Sequence, residues 1–299
     1  MSRQTPSTPP ASRRPGRRSG TFRLLIAPVA AALVAGTALS GCSGSATAAS
    51  PSTPPLPAVL QGDPDQVLAA AAGRTMTSGN AGITLSTPVV NEGQATVVNG
   101  EGAIDFAGNK MKLVVPNAEK AEQLQFGRSL YVLLPEHFAE SFGGKKWVKL
   151  SLDAAGATSP DPFNLYAYEP SQLLTALTAT DDATLVGEEP VRDAKTTHFT
   201  GTLTASRVAT SGVNPTFAKA FENATGGAAT PVEVWLDDEG LVRRATVALP
   251  PPNAGPGSGA PVATVELFDF GTADVSFTEP SANLVTDPTA LAGLAGGAD

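Results

Sequence analysis

Hydrophobic and polar residues alternate with a period of two along much of the chain between residues 95 and 278. Such alternation is typical of β-strands that bury one face and expose the other. It predicts strands within residues 95–106, 111–115, 123–134, 147–152, 195–208, 231–236, 241–249, 262–270 and 273–278. Because short turns join successive strands, we expect an antiparallel sheet with one apolar face.

Glycine residues predict where this sheet bends and turns. Gly100 and Gly102 lie on one face of the first strand, and glycines inside a strand usually mark a bend or a close approach of backbones. In 123–134, Arg128 breaks the alternation, which indicates a turn around Gly127. The same alternation places on one face Leu124, Phe126, Leu130, Val132 and Leu134. The residues Asp-Asp-Glu-Gly at 237–240 predict a hairpin turn.

Three helices are predicted from start signals that precede apolar residues at helical spacing. The first begins with Asp63 as a capping residue before a proline, and Gly73 is expected to end it. The second region opens at Asp161, again before a proline, and is interrupted at Pro170. The third begins at Asn214, also followed by proline.

The apolar face of the predicted sheet must be covered by another layer. Only three modest helices are available, so a curved sheet with the helices in its concavity is the economical arrangement. The fold class is therefore expected to be α+β. On this pattern alone, the inward apolar residues are either ordinary core or the lining of a pocket.

The first 41 residues are predicted to be a signal peptide. They contain six arginines and no acidic residue, and an apolar run from Leu24 to Leu39 follows the basic region. This run is shorter than the roughly 20 residues that a membrane-spanning helix needs. Leu39, Ser40, Gly41 and Cys42 resemble the bacterial lipobox, which implies cleavage before Cys42 and acylation of its thiol.

Charge and composition restrict the partners of the mature chain. The uncharged residues 43–62 are rich in Ser, Ala, Thr and Pro, so we expect Cys42 and a flexible tether over 42–62. A folded domain over 63–280 and a C-terminal tail over 281–299 follow. Removal of the signal peptide leaves 14 basic and 28 acidic residues, a net charge of −14. Such a surface argues against nucleic acid as a partner.

Residues suited to catalysis or metal binding are scarce. The chain has one cysteine and two histidines, His137 and His198, which are too few for a zinc site. No serine lies in a G-x-S-x-G motif, and the carboxylate clusters at 181–182 and 237–239 are expected to lie in solvated turns. Trp147 and Trp235 are interpreted as packing residues. We therefore predict no catalytic residue, no metal and no cofactor, and we expect that the protein is not an enzyme.

Several stretches, in this order, resemble the mycobacterial lipoprotein family that includes LppX, LprA, LprF and LprG, whose fold is related to LolA and LolB. The matching motifs lie at 39–42, 63–72, 146–150, 161–177, 186–203 and 231–244. The resemblance departs at 250–261, a long Pro/Gly-rich loop where a tighter hairpin is expected.

The resemblance implies a curved antiparallel half-barrel with helices on the concave face, enclosing an apolar cavity for the acyl chains of a lipid or glycolipid. It implies a monomer anchored through its acylated N-terminus on the extracytoplasmic face of the cell membrane, with an envelope transporter as a further partner. The expected lining residues are Val98, Ile104, Phe106, Met111, Leu113, Leu124, Phe126, Leu130, Val132, Leu173, Leu177, Val234 and Leu236.

Two other hypotheses stay open at this point. The domain is alternatively a tethered interaction module with a filled core and no lipid. A hydrolase that uses one of the two histidines is the least favoured hypothesis.

Overall fold

The structure is a computed structural model that describes residues 55–91, 94–116, 121–139, 141–155, 169–248 and 262–289. The predicted signal peptide, the lipobox with Cys42 and most of the tether lie outside the described residues. So do the expected helix start at Asp161 and the loop at 250–261.

Six α-helices are described. They are α1 (Pro64–Thr77), α2 (Glu136–Ala139), α3 (Leu152–Ala155), α4 (Pro170–Leu177), α5 (Ala205–Thr210) and α6 (Pro215–Thr225). Single 3-10 turns occupy Ala58–Leu60 and Ala282–Leu284. None of the helices built by the described residues is long and apolar enough to cross a membrane.

Twelve strands are described. They are β1 (Asn80–Asn91), β2 (Gln94–Asp105), β3 (Lys110–Val115), β4 (Ala121–Phe126), β5 (Ser129–Leu133), β6 (Trp147–Ser151), β7 (Asp181–Glu188), β8 (Thr197–Leu203), β9 (Thr230–Leu236), β10 (Val242–Ala248), β11 (Val262–Phe268) and β12 (Val285–Thr286).

All twelve strands form one curved, unclosed sheet in the order β12-β6-β5-β4-β3-β2-β1-β11-β10-β9-β8-β7. Neighbouring strands are antiparallel except β12, which runs parallel to β6. We call β2–β6 the early arm and β7–β11 the late arm, with β1 between them. The α+β class and the predicted antiparallel sheet are confirmed.

The helices pack on one face of the sheet, here called the concave face. In the late arm, the register places Val234, Ala245 and Val265 side by side on this face, and each is almost fully buried. Leu68 of α1 and Phe217 of α6 belong to the same core. Burial of each large apolar side chain stabilises the fold by about 1.5–3 kcal/mol, so this contact dominates the core.

Helix starts follow the predicted signals, whereas one helix end does not. Asp63 accepts a hydrogen bond from the backbone N–H of Gln66 at 3.2 Å, and Asn214 accepts one from Phe217 at 2.8 Å. Gly73 was expected to end α1, but the helix continues to Thr77. The reason is a tertiary contact, because the buried Thr75 hydroxyl accepts a hydrogen bond from the backbone N–H of Val242 at 2.9 Å.

Other boundaries also differ from the prediction. Pro170 begins α4, at the first helical position, where a proline is well tolerated. The strand expected over 195–208 ends at Leu203, and α5 follows it. Strands β1 and β7 were not predicted.

The segment 273–278 is not a strand, although its alternation predicted one. It belongs to a return segment, residues 272–281, that runs along the outer face of the early arm. Lys110 Nζ donates to the carbonyl oxygen of Val275 at 2.7 Å, and the Phe277 ring packs edge-on against Phe126. Beyond it, β12 pairs with β6, so the tail expected over 281–299 begins with ordered sheet.

The outer face of the early arm also holds a buried phenol. Burial, together with a hydrogen bond to Glu279 from the return segment, raises the pKa of Tyr131. The hydrogen bond with Tyr131 in turn raises the pKa of Lys149. These contacts connect the return segment to β5 and β6.

Gly102 and Gly100 allow a matched test of how closely the backbones of β2 and β3 approach each other. A Cβ at Gly102 would lie 1.9 Å from the Lys112 carbonyl oxygen, whereas at Gly100 the nearest atoms, on Leu113, would lie 3.8 Å away. We expect Gly102→Ala to lower the free energy of unfolding by about 1–3 kcal/mol because β2 and β3 must separate. Gly100→Ala is expected to change it by less than about 1 kcal/mol. Urea denaturation of both variants checks this, and equal losses would contradict it.

Candidate functional site

The concave face of the early arm brings together five of the thirteen residues expected to line a cavity. Register pairs Ile104 with Met111, and Gln125 of β4 connects Met111 to Leu130. In the adjacent row, Leu113 pairs with Gln123, which pairs with Val132. These residues therefore form two parallel rows across β2–β5.

The remaining expected residues, apart from two in β4, also lie at this face or next to it. Val98 has the same parity as Ile104 along an unbroken ladder, and Phe106, just beyond β2, packs against the core. Val234 and Leu236 share the concave face of the late arm with Val265. From α4, Leu173 and Leu177 belong to the same core.

Leu124 and Phe126 do not lie on the concave face, contrary to the expectation. The turn between β4 and β5 has two residues, so each even-numbered residue of β4 pairs with an odd-numbered residue of β5: Leu124 with Tyr131, and Phe126 with Ser129. Equal parity across such a hairpin therefore means opposite faces. Both side chains lie on the outer face, where Phe126 contacts Phe277.

The two arms differ in how fully the helices cover them. In the late arm, a cavity of about 10 Å³ beside Leu85, Leu173 and Phe221 is apolar and has room for about one water molecule. In the early arm, Leu113 is 5 % exposed, whereas Val132 is only half-buried. On the concave face, the apolar side chains that other described residues leave partly open are Val98 and Val132 in the early arm and Leu185, which is 46 % exposed, in the late arm.

A buried polar cluster borders the concave face of the early arm. The carboxylate of Glu169, which is 6 % exposed, accepts hydrogen bonds from Gln125 Nε2 at 2.7 Å and from Asn214 Nδ2 at 3.1 Å. The oxygen that accepts from Asn214, Oε2, also pairs with Arg128. We call Gln125, Arg128, Glu169 and Asn214 the Glu169 cluster. Its donors offset the cost of burying a carboxylate, and they join the β4–β5 hairpin to α4 and α6.

Sequence reasoning missed this cluster because it assigned the glutamines of β4 to the solvent side. The signal that identifies it is the two-residue turn at Gly127, which places Gln123 and Gln125 on the concave face. Both are buried, at 6 % exposure.

The residues considered for catalysis have structural contacts. The His198 ring stacks on Trp235 at 4.2 Å on the outer face of the late arm, and Trp235 Nε1 donates to Glu189 at 3.1 Å. His137 lies in the short helix α2. Within the described parts of the chain, no group of three or more His, Cys, Asp or Glu residues is placed to hold a metal ion.

The two carboxylate clusters are not simple solvated turns. Asp237 is 3 % exposed, and its Oδ1 accepts from the backbone N–H groups of Glu239 and Leu241 while Oδ2 pairs with Arg243 at 2.6 Å. It therefore organises the β9–β10 turn from inside. Asp181 starts β7, where it pairs with Arg207 at 3.1 Å.

Comparison with curated proteins finds similarity to two Streptomyces sequences. The chain is 28% identical over 119 residues to "Putative lipoprotein SCO4650" of Streptomyces coelicolor, a match covering 38% of this chain and 34% of that protein. It is 26% identical over 208 residues to an uncharacterized 31.2 kDa protein of Streptomyces griseus, covering 65% of this chain and 66% of that protein. No protein-family model matches the chain.

Comparison with solved structures finds lipoproteins of two mycobacteria. The lipoprotein LppX of Mycobacterium tuberculosis matches with a TM-score of 0.43 and 17% identity, covering 71% of this chain and 100% of LppX. LprF of Mycobacterium bovis matches with a TM-score of 0.41 and 14% identity, covering 73% and 97%. LppX and LprF are both among the proteins named in the resemblance drawn from the sequence.

The Glu169 cluster allows a matched test of one buried and one exposed carboxylate, because Arg128 pairs with Glu169 and also with Asp153. Glu169→Ala leaves buried donors without an acceptor, and we expect the free energy of unfolding to fall by about 2 kcal/mol. Asp153 is 66 % exposed at its side chain, so Asp153→Ala should cost less than about 0.5 kcal/mol. Chemical denaturation measures both. Equal effects would show that burial of the cluster is not what stabilises it.

Proposed function

We propose that this protein is a membrane-anchored lipoprotein that binds an acyl chain of a lipid or lipoglycan on its concave face and carries or presents it in the cell envelope. The observation that carries the proposal is the set of apolar side chains that the concave face brings together across β2–β5, two of which, Val98 and Val132, are only half-buried. The similarity to lipoproteins supports the same reading.

The proposed anchor is Cys42, and its proposed tether is the part of the uncharged segment 43–62 that precedes the 3-10 turn at Ala58–Leu60, because Leu60 is 2 % exposed and belongs to the core. A tether of this composition holds the domain a short distance from the bilayer. A single acyl chain binds membranes only marginally, so a stable anchor needs at least two chains on this residue. The proposed location is the extracytoplasmic face of the cell membrane, where the domain meets membrane lipids directly.

Binding needs no chemistry on the lipid, and we propose a carrier and not an enzyme. Each methylene that leaves water contributes about 0.8 kcal/mol. Ten buried methylenes therefore supply about 8 kcal/mol, which offsets part of the free-energy cost of the entropy lost on association. We propose that the carrier acts as a monomer and transfers its lipid to an envelope transporter.

A second candidate function is supported by the small cavity of the late arm. A space of about 10 Å³ does not admit an acyl chain, so that half of the concave face is a filled core. A domain filled in this way throughout would act as a tethered module that binds another envelope protein.

Replacement of the proposed anchor residue tests the location. We expect Cys42→Ser to abolish incorporation of a clickable palmitate analogue in a bacterial host that processes lipoproteins, since serine has no thiol to acylate. In-gel fluorescence of the full chain measures this. Ser40→Ala, two positions away, serves as the control and should retain the label. Persistent labelling of Cys42→Ser would contradict the anchor.

A charge placed on either face of the early arm tests the proposed lipid site. Val132 lies on the concave face and Val114 on the outer face, and both are half-buried. We expect Val132→Glu to reduce photocrosslinking to a diazirine-labelled phosphatidylglycerol at least fivefold, because the acyl chain would desolvate the carboxylate. Val114→Glu should leave crosslinking within twofold.

The measurement uses the mature lipoprotein in phosphatidylcholine vesicles that contain the labelled lipid, with adducts mapped by mass spectrometry. Adducts at 98–132 support the proposal. Equal loss in both variants, or adducts confined to the anchor peptide, would favour the interaction module. Thermal denaturation confirms that both variants are folded.

A further inference from the structure

Gln123 is a buried polar side chain whose amide makes no hydrogen bond with the rest of the fold. It lies on the concave face of the early arm, in the row that runs from Leu113 of β3 to Val132 of β5. The residue is 6 % exposed, yet no described residue hydrogen-bonds its amide. An amide that is withdrawn from water without a partner destabilises a fold, so this position favours a ligand that supplies the missing partner.

The neighbouring glutamine shows how an amide on this face is satisfied by the fold. Gln125, two residues further along β4, donates from Nε2 to Glu169 at 2.7 Å and to the carbonyl oxygen of Gly127 at 3.2 Å. It is as buried as Gln123, and its contacts join the β4–β5 hairpin to the residue that precedes α4. The structural role that explains Gln125 therefore does not explain Gln123.

The side chains next to Gln123 across the sheet are apolar. Leu113 on one side is 5 % exposed, Val132 on the other side is half-buried, and Val148 of β6 beyond it is 3 % exposed. A ligand atom that reaches the amide must therefore be attached to an apolar chain that lies against these residues. In an acylated lipid, the first polar atom at the end of the hydrocarbon chain is the carbonyl oxygen of the ester, which accepts hydrogen bonds.

The charges on this side of the arm disfavour an anionic ligand. Within the described residues of β3–β6, the register places no charged side chain on the concave face. Arg128 of the Glu169 cluster pairs with two carboxylates, those of Glu169 and Asp153, so this group has one positive and two negative charges. A fatty-acid carboxylate would be repelled by the excess negative charge and would lose its hydration, whereas an ester carbonyl is neutral.

We propose that Gln123 determines specificity for an ester-linked acyl chain, with its Nε2 donating a hydrogen bond to the ester carbonyl oxygen. This inference rests on the proposed lipid function and names the chemical group that the site selects. The hydrocarbon contacts on both sides of Gln123 supply most of the affinity, and the amide distinguishes an ester from an ether linkage or a free carboxylate.

A competition between ester and ether lipids tests this selection with the unsubstituted chain. The mature lipoprotein is placed in vesicles of ether-linked phosphatidylcholine that contain equal amounts of an ester-linked phosphatidylglycerol and its ether-linked analogue of the same chain length. Native mass spectrometry after detergent extraction counts each bound lipid. We expect the ester form to exceed the ether form about threefold to tenfold, the value of one hydrogen bond. In a second competition, methyl palmitate should be bound in excess over palmitate.

A substitution of the amide assigns the selection to this residue. Gln123→Leu keeps a side chain of similar size, and we expect it to bring the ester and ether forms within about twofold of each other by lowering only the binding of the ester. Glu122→Leu, on the outer face of the same strand, is the matched control and should keep the ester preference. Thermal denaturation shows whether both variants are folded. If Gln123→Leu does not fold, the two competitions with the unsubstituted chain decide the proposal.

The outcomes separate the role of Gln123 from the lipid function on which it rests. Binding of neither phosphatidylglycerol would overturn both. Equal binding of the two forms by the unsubstituted chain, an excess of palmitate over its methyl ester, or an ester preference that Gln123→Leu retains would overturn the role of Gln123 and leave the lipid function standing. Equal loss of both forms in Gln123→Leu would also overturn the carbonyl contact, because the ether form has no carbonyl group.

Discussion

Cover for the apolar concave face is the requirement on which the rest of the structure depends. The sheet curves without closing, so its inner side chains remain in water unless another layer lies against them. Helices α1, α4 and α6 provide this layer over the late arm, where Phe217 and Phe221 are each 1 % exposed. The helices are short, and their stability therefore comes from this packing more than from their own propensity.

The Glu169 cluster fixes the positions at which helices α4 and α6 begin on the sheet. Apolar contacts are non-directional and permit helices to slide, whereas a buried carboxylate with three donors fixes one position. Glu169 precedes α4, Asn214 caps α6, and Gln125 and Arg128 come from the β4–β5 hairpin. The cluster thus holds both helices beside the two rows of the early arm, where Val132 is only half-buried.

The features predicted from sequence were those encoded within a few residues. Asp63 and Asn214 cap their helices by contacts three residues away, and the strand patterns at 231–236 and 241–249 required only alternation. The features that were predicted wrongly depend on contacts with residues distant in the sequence. Thr75 extends α1 through a contact with Val242, 167 residues away, and the segment at 273–278 alternates because it packs on the outer face, not because it pairs.

Prediction of the candidate site from the sequence is limited in the same way. Alternation correctly placed Ile104, Met111 and Val132 on the concave face. It failed at Leu124 and Phe126 because the length of the turn between β4 and β5, and not the alternation, decides whether even-numbered residues of the two strands lie on the same face. A one-residue error in register moves every side chain of a strand to the other face. In the late arm, the same alternation links the core to the outer face: Val265 and Ala245 pack inside, while Thr264 and Thr246 lie outside on the same strands. The apolar packing of the concave face therefore also fixes the positions of these outer threonines, because both faces follow from one register.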